Sequence, residues 1–354
     1  MSVKKEPGEA RLASAVPLLL AWYDENARIL PWRENTDPYR VWVSEIMLQQ
    51  TRVEAVKPYF DRFVRELPDL KSLAAAREER LLKLWEGLGY YNRVRNMRKA
   101  AELIAERHGG RFPDDYNDIL ALPGIGAYTA GAVASISFGK PIPAVDGNVL
   151  RVLARLTAAH DDVADEKVKR RVTEWLRAVY PASRCGDFTQ SLMELGAVVC
   201  LPNGQPKCDA CPVRRLCEAY RAGTQADFPV KSKKKPRKRE RKTVLLLCQG
   251  DKIAVRKREE HVLLGGLWEF PNAEGFLTEQ QVAEWLLQHG IAAESVTRGE
   301  EQKHVFTHVE WAMRSYIIRC RSGRGNFTWL TKRRLTEEAA LPSAFRKFYP
   351  LFRP

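Results

Sequence analysis

Residues 122–131 read LPGIGAYTAG. Beyond a helical stretch and a Pro-containing loop, residues 145–156 read VDGNVLRVLARL. Gly124 and Gly126 allow a tight turn whose backbone N–H groups lie bare at the start of the next helix. Such a turn grips a phosphate without using side-chain charge. Taken alone, it is equally an ordinary Gly-rich connection between two helices. Asp146, taken alone, is equally the N-cap of a helix starting at Gly147. In series they form a unit with chemical content: a phosphate grip followed by a carboxylate.

A second carboxyl stands upstream, in WVSEIMLQQTRV (42–53). Glu45 sits among Trp42, Val43, Ile46, Met47 and Leu48, on a helix that is apolar nearly all round. Lost hydration penalises the charged form and raises the pKa of such a carboxyl. A carboxylic acid that keeps its proton near neutral pH can protonate a leaving group. The competing reading is an ion-paired Glu on a half-exposed face, with Arg33, Arg40 and Arg52 near in sequence.

The 354 residues suit two domains or three, and a hydrophobic content of 45% fills ordinary globular cores. Lys plus Arg exceed Asp plus Glu by 58 to 44, a net charge of +14, which favours a polyanionic partner such as nucleic acid. The apolar run Leu12 to Tyr23 is too short to span a membrane and contains Pro17. With Glu6 and Glu9 before it, it is also a poor signal peptide, so the chain is expected in the cytoplasm. From about Arg11 to Tyr220 the pattern is helical, as in Leu81 to Leu84, Val94 to His108 and Val168 to Tyr180. KSKKKPRKRERK (231–242) has nine basic residues and no apolar one, and reads as an exposed linker that a phosphate backbone could attract. After it come the β-like runs TVLLLCQ, KIAVRK, AMRSYIIRC and NFTWL, with a helical run from Glu279 to His289. The expected organisation is multidomain: a mainly α part over 1–228, a linker over 229–242 and an α/β domain over 243–354.

Seven cysteines is an odd number, and four of them, Cys200, Cys208, Cys211 and Cys217, form a C-x7-C-x2-C-x5-C array. That speaks for a reducing compartment and a metal site rather than disulfides. An iron–sulfur cluster and structural zinc both accept four thiolates, and the array alone leaves them comparable. Cys185, Cys248 and Cys320 read as isolated structural thiols.

The segments LPWR (30–33), VWVSEIMLQQTRV (41–53), GLGYYNRVRN (87–96), LPGIGAYTAGAVAS (122–135), AVDGNVLRVLARL (144–156) and LMELGAVVC (192–200) together resemble the MutY-type adenine DNA glycosylases. These belong to the helix–hairpin–helix DNA glycosylase superfamily, and the resemblance covers nearly the whole chain. It implies that Glu45 protonates a flipped adenine at N7 and that Asp146 stabilises the oxocarbenium-like sugar, a division of labour also used by glycoside hydrolases. Tyr128 and Asn148 would support Asp146, and Arg33 and Glu194 would line the adenine pocket. Gln50, Thr51 and Tyr90 would enter the duplex where the base leaves the stack. Gly124 and Gly126 would hold the DNA backbone. The implied partner is double-stranded DNA with adenine opposite 8-oxoguanine or guanine, bound by a monomer.

The resemblance also implies one four-iron four-sulfur cluster on the four cysteines, although the family has six residues between the first two ligands and this chain has seven. Endonuclease III-like relatives carry a lysine at position 128 that forms a Schiff base and cuts the strand. Tyr128 offers no amine, which implies a monofunctional enzyme. A non-catalytic DNA-binding iron–sulfur sensor would have no use for both carboxyls. LLGGLWEFPN (263–272) and HVFTHVEW (304–311) resemble the Nudix-like C-terminal domain of the same family. Leu287 and Gln288 stand where Nudix hydrolases place magnesium-binding glutamates, so the domain is expected not to hydrolyse. The resemblance makes the turn Phe306, Thr307 and His308 the reader of 8-oxoguanine.

Overall fold

The computed structural model describes residues 6–232, 236–323 and 325–352. The chain divides into two compact units, one of Met1–Ala75 and Asn96–Lys233, the other of Ala76–Arg95 and Lys234–Pro354.

The first unit is helical. Pro38–Leu48 starts on Asp37, whose carboxylate accepts the Tyr39 N–H, with Pro38 preset for the first turn. From Val41 to Met47 every residue of this helix is buried, so it runs through the core and carries Glu45 with it. Ala127–Phe138 follows the Gly124/Gly126 turn and packs against the Glu45 helix. Gly124 adopts φ +77°, and a Cβ there would lie 2.7 Å from Asn96 Cβ, which restricts the position to glycine. Gly147–Thr157 begins at Asp146 and packs against Cys185–Val198, and the N-terminal helix Pro7–Asn26 lies on Glu166–Val179 and Cys185–Val198. Leu12, Leu19, Leu153, Leu176, Phe188 and Leu195 form the core of this region. Among the described residues no helix is long and apolar enough to cross a membrane.

The second unit is a mixed sheet with helices. Lys238–Gln249 runs parallel to Val309–Gly323, from Lys238 opposite Val309 to Cys248 opposite Arg319, and antiparallel to Lys252–Lys257. Ile291–Val305 and Val309–Gly323 form a long antiparallel pair whose connection carries Phe306, Thr307 and His308. Glu279–Gln288 has a Thr278/Gln281 capping box and packs against Ile291–Val305.

Three sequence expectations need correction. The basic run is not a linker as far as residue 242. Its last five residues, Lys238–Lys242, begin a strand, and Lys242 is buried between an ion pair with Glu274 and the face of Trp311. Partners from other strands satisfy what the run could not bury by itself. Ser232 at its near end is tied to Asp162, while Lys233, Lys234 and Lys235 lie outside the described residues. Second, the strand Ile291–Val305 went unread because only Ile291 of its fifteen residues is fully buried, which hides the period of two. Third, Ala76–Arg95 does not belong with its sequence neighbours. Glu86 accepts the Leu341 N–H at 2.9 Å, Lys83 donates to the Ala339 carbonyl at 3.0 Å, and Arg95 donates to the Gly265 carbonyl at 2.9 Å.

Candidate active site

Glu45, Asp146, Tyr128, Asn148, Arg33, Glu194, Gln50 and Thr51 all line one large, open cavity in the first unit. Five helices, the Arg28–Arg33 segment and the turn at residues 49–51 supply its walls.

Glu45 is 6% exposed, and its Oε2 accepts the Tyr128 hydroxyl at 2.6 Å. Burial pushes its pKa up to about 7, against the opposing effect of the Tyr128 hydrogen bond. The nearby arginines take other partners: Arg33 pairs with Glu194 at 2.8 Å and Arg40 with Glu34 at 2.9 Å. Glu45 is therefore a buried acid, as its apolar helix implied. Tyr128 was expected to support Asp146. Its hydroxyl goes instead to Glu45, because the first turn of the Ala127–Phe138 helix faces the Glu45 helix. Burial lifts the Tyr128 pKa well above the ordinary phenol value, so the hydroxyl keeps its proton.

Asp146 caps its helix and also faces the cavity. Oδ1 accepts the Asn148 and Val149 N–H groups at 2.9 and 2.8 Å, and Oδ2 accepts the Asn148 side-chain amide at 2.7 Å. Burial raises its pKa, and the three donors offset that rise only in part, so the net shift is upward. Capping and a cavity-facing carboxylate are thus combined in one residue. Gly196 makes room for this: a Cβ there would come within 2.6 Å of Asn148 Cβ.

Glu194 presents a fully buried side chain to the same cavity, gripped by Arg33 and by Arg28. Burial would raise its pKa, but the two guanidiniums outweigh it and the net shift is downward. Arg28 was missed in the sequence, since nothing about one arginine in a loop marks it. So was Arg151. Residues 148, 151 and 155 share one helical face. From it Arg151 donates to Asn148 Oδ1 at 2.8 Å, to the Gly196 carbonyl at 2.7 Å and to the Cys200 carbonyl at 2.8 Å. A continuous set of hydrogen bonds therefore runs from Asp146 through Asn148 and Arg151 to Cys200.

Cys200, Cys208, Cys211 and Cys217 line a second, small cavity, walled by Val152, Leu156, Leu195, Val199 and Val213. Arg155 donates to Cys200 Sγ at 3.3 Å. The long first spacer folds back on itself, with the Lys207 N–H donating to the Val199 carbonyl at 2.9 Å. Cys185, Cys248 and Cys320 are buried elsewhere.

In the second unit, Tyr90 and Thr307 meet: their hydroxyls are 3.0 Å apart. Tyr90 adopts φ +50°, a left-handed conformation uncommon for a residue with a Cβ. Phe306 packs edge-on between His304 and Trp311, while Thr307 and His308 are exposed at the turn. Leu287 and Gln288 close the Glu279–Gln288 helix with no carboxylate at either position.

Residues 43–178 match the HhH-GPD superfamily of base excision DNA repair proteins, and residues 243–350 match the NUDIX domain. A solved thermostable thymine-DNA glycosylase is 28% identical, with a TM-score of 0.55 over 61% of this chain and 100% of that one. The adenine DNA glycosylase of Buchnera aphidicola subsp. Acyrthosiphon pisum (strain APS) is 34% identical over 303 residues, 85% of each chain. That of Homo sapiens is 32% identical over 400 residues, covering 94% of this chain and 73% of its own. The class is thus a base-excision DNA glycosylase fused to a Nudix-like domain. Within it, the chain belongs to the adenine DNA glycosylase family.

Proposed function

We propose that this chain is a monofunctional adenine DNA glycosylase. It hydrolyses the N-glycosidic bond of adenine opposite 8-oxoguanine or guanine in duplex DNA. The observation that carries the reading is the pair of carboxyls on one cavity with different surroundings. Glu45 is buried against a neutral hydroxyl, and Asp146 is held by three N–H donors.

The flipped adenine enters the cavity between Glu194 and Glu45. Glu45 delivers a proton to N7 and so turns the base into a neutral leaving group. Asp146 remains ionised and faces the positive charge developing on the sugar. Asn148 and the Val149 N–H fix its orientation, and Arg151 holds Asn148. Water completes the hydrolysis. Tyr128 offers no amine for Schiff-base chemistry, so the product strand stays intact at its abasic site. Gln50 and Thr51 fill the gap left in the duplex, and the turn at Gly124 and Gly126 grips the DNA backbone through its N–H groups. In the second unit, Phe306, Thr307 and His308, braced by Tyr90, read 8-oxoguanine. The enzyme works as a monomer in the compartment that holds the DNA, the cytoplasm in a bacterium.

The four cysteines fit a four-iron four-sulfur cluster. Four thiols surround one apolar-walled cavity with Arg155 beside Cys200, an environment suited to an anionic cluster. When bound, the cluster supplies four iron–thiolate bonds that fix the 200–217 loop.

The test is single-turnover excision on duplexes with adenine opposite 8-oxoguanine, guanine and thymine, with and without hot alkali. Adenine release opposite the first two, with strand breaks only after alkali, is the expected result. Breaks without alkali would sink the monofunctional reading, and equal rates on all three would sink the mispair reading.

A further inference from the structure

Two glutamates line the cavity, and the groups around them push their protonation in opposite directions. Glu45 faces a neutral hydroxyl. Glu194 faces two guanidiniums, and Arg28 grips it more completely. Arg28 Nε donates to Oε1, Nη2 donates to Oε2 at 3.1 Å, and its own backbone N–H points at Oε1 from 3.4 Å. Arg33 reaches only Oε2, while its guanidinium lies over the Tyr23 ring and donates to the Arg28 carbonyl. The Glu194 side chain has no exposed surface, whereas a third of Arg28 is open to solvent.

We propose that Arg28 sets the choice of purine in this pocket. Its two-pronged grip keeps Glu194 a pure hydrogen-bond acceptor, so that a base presenting an exocyclic amine is taken and one presenting a carbonyl is refused. The inference rests on the reading that the cavity receives the excised adenine, and it assigns to Arg28 a positioning role through Glu194.

A carboxylate can only accept, whereas a protonated carboxyl can also donate. Adenine offers an amine at position 6, which a carboxylate satisfies. Hypoxanthine differs there by a carbonyl, which would set oxygen against oxygen. A site built to accept from a substrate N–H rejects the analogue lacking it strongly, because the buried partner is left unpaired. That rejection holds only while Glu194 stays ionised, and a fully buried carboxyl without paired cations takes up a proton. The charged and titratable groups facing it are Arg28 and Arg33 on the entering segment, Tyr23 on the N-terminal helix with Asp187 beyond it, and Glu45 and Asp146 across the cavity. Of these, Arg28 and Arg33 supply positive charge, and Arg28 alone contacts both Glu194 oxygens.

The experiment uses the full-length protein in single-turnover excision of adenine and of hypoxanthine opposite the same base, from weakly acidic to weakly alkaline pH. Both bases leave through Glu45, so its titration cancels in the ratio of the two rates. In the parent the ratio favours adenine and is flat with pH. In Arg28→Gln it falls roughly tenfold toward acid, as Glu194 gains a proton and begins to donate. Glu194→Gln, which can donate at any pH, gives a lowered ratio that is flat. Arg28→Lys keeps the charge and loses the fork, so its ratio falls only at a lower pH than in Arg28→Gln. A ratio in Arg28→Gln as flat and as high as the parent's overturns the proposal. If that variant does not fold, parent-like behaviour of Arg28→Lys at every pH overturns it. A parent that releases no adenine at all would sink the reading of the cavity instead, a result distinct from either.

Discussion

The Tyr128 hydroxyl donates to Glu45 Oε2 at 2.6 Å, so the buried acid keeps one fixed neutral partner. This bond favours the carboxylate and holds the Glu45 pKa below what burial alone would set. Tyr128→Phe should therefore move the alkaline limb of the rate profile to higher pH, with adenine excision persisting where the parent has begun to fail. A limb that stays in place would show that the hydroxyl does not act on Glu45.

Glu45→Gln should abolish excision while leaving duplex affinity nearly intact, because the amide keeps the shape and cannot give the proton. Stability supplies a second readout. Glu45 has a folded pKa of about 7 against an ordinary 4.5, so the stability it contributes is fully present below pH 4.5 and is lost as pH rises through 7. The glutamine variant escapes that loss. It should overtake the parent above neutral pH, by up to about 3 kcal/mol, in denaturant titrations at acid and alkaline pH. Equal pH dependence in the two proteins would refute the buried-acid assignment.

Asp146→Asn and Asp146→Ala should separate chemistry from capping. Asparagine can still accept the Asn148 and Val149 N–H groups, so thermal stability should hold while activity collapses. Alanine should lose activity and about 1 kcal/mol of stability as well. An asparagine variant with near-parent rates would leave Asp146 as a cap only.

Arg151→Met should damage two places at once. It strips a buried donor from the Cys200 and Gly196 carbonyls and from Asn148, each bond to a charged group being worth about 1.5–3 kcal/mol. The purified parent should be yellow-brown, with about four iron and four sulfide per chain. The variant should lose colour faster under a chelator and excise more slowly even while still loaded. Full activity with intact colour would argue against a connection through Arg151.

Thr307→Ala should narrow the preference for 8-oxoguanine over guanine by roughly tenfold, the scale of one lost recognition contact, and Thr307→Ser should be nearly neutral. Tyr90→Phe removes the partner hydroxyl at 3.0 Å and should shift preference the same way, without changing the limiting rate of base release. Unchanged preference in all three would move lesion reading away from the turn.

Much of this site was legible because its chemistry is written locally. A glutamate inside an apolar helix, an aspartate at a helix start after a Gly-rich turn, and four cysteines in a short span each announce themselves by spacing. Arg28 and Arg151 do not. Their meaning lies in partners more than forty residues away, Glu194 for one and Cys200 for the other, and no local pattern encodes them. The fold shows the same division. Lys252–Lys257 shows itself by the short apolar run Ile253, Ala254 and Val255 between charged ends, while Ile291–Val305, exposed along most of its length, gives no period to read. Lys238–Lys242 looked like a solvated tether because a run of charge cannot show which strands will neutralise it.

The placement of Ala76–Arg95 in the second unit has a consequence for how the molecule is made. These twenty residues leave the ribosome well before their partners, for the backbone groups that hold Lys83 and Glu86 belong to Ala339 and Leu341, 256 and 255 residues further along the chain. At ordinary elongation speeds the segment waits on the order of tens of seconds for its partners. The first unit must therefore close around both ends of an unfinished loop, and the nascent chain carries Tyr90 and Trp85 without their final surroundings throughout that interval. Slowing translation downstream of residue 95 should lengthen this vulnerable window, making the yield of intact protein depend on codon choice between there and Leu341.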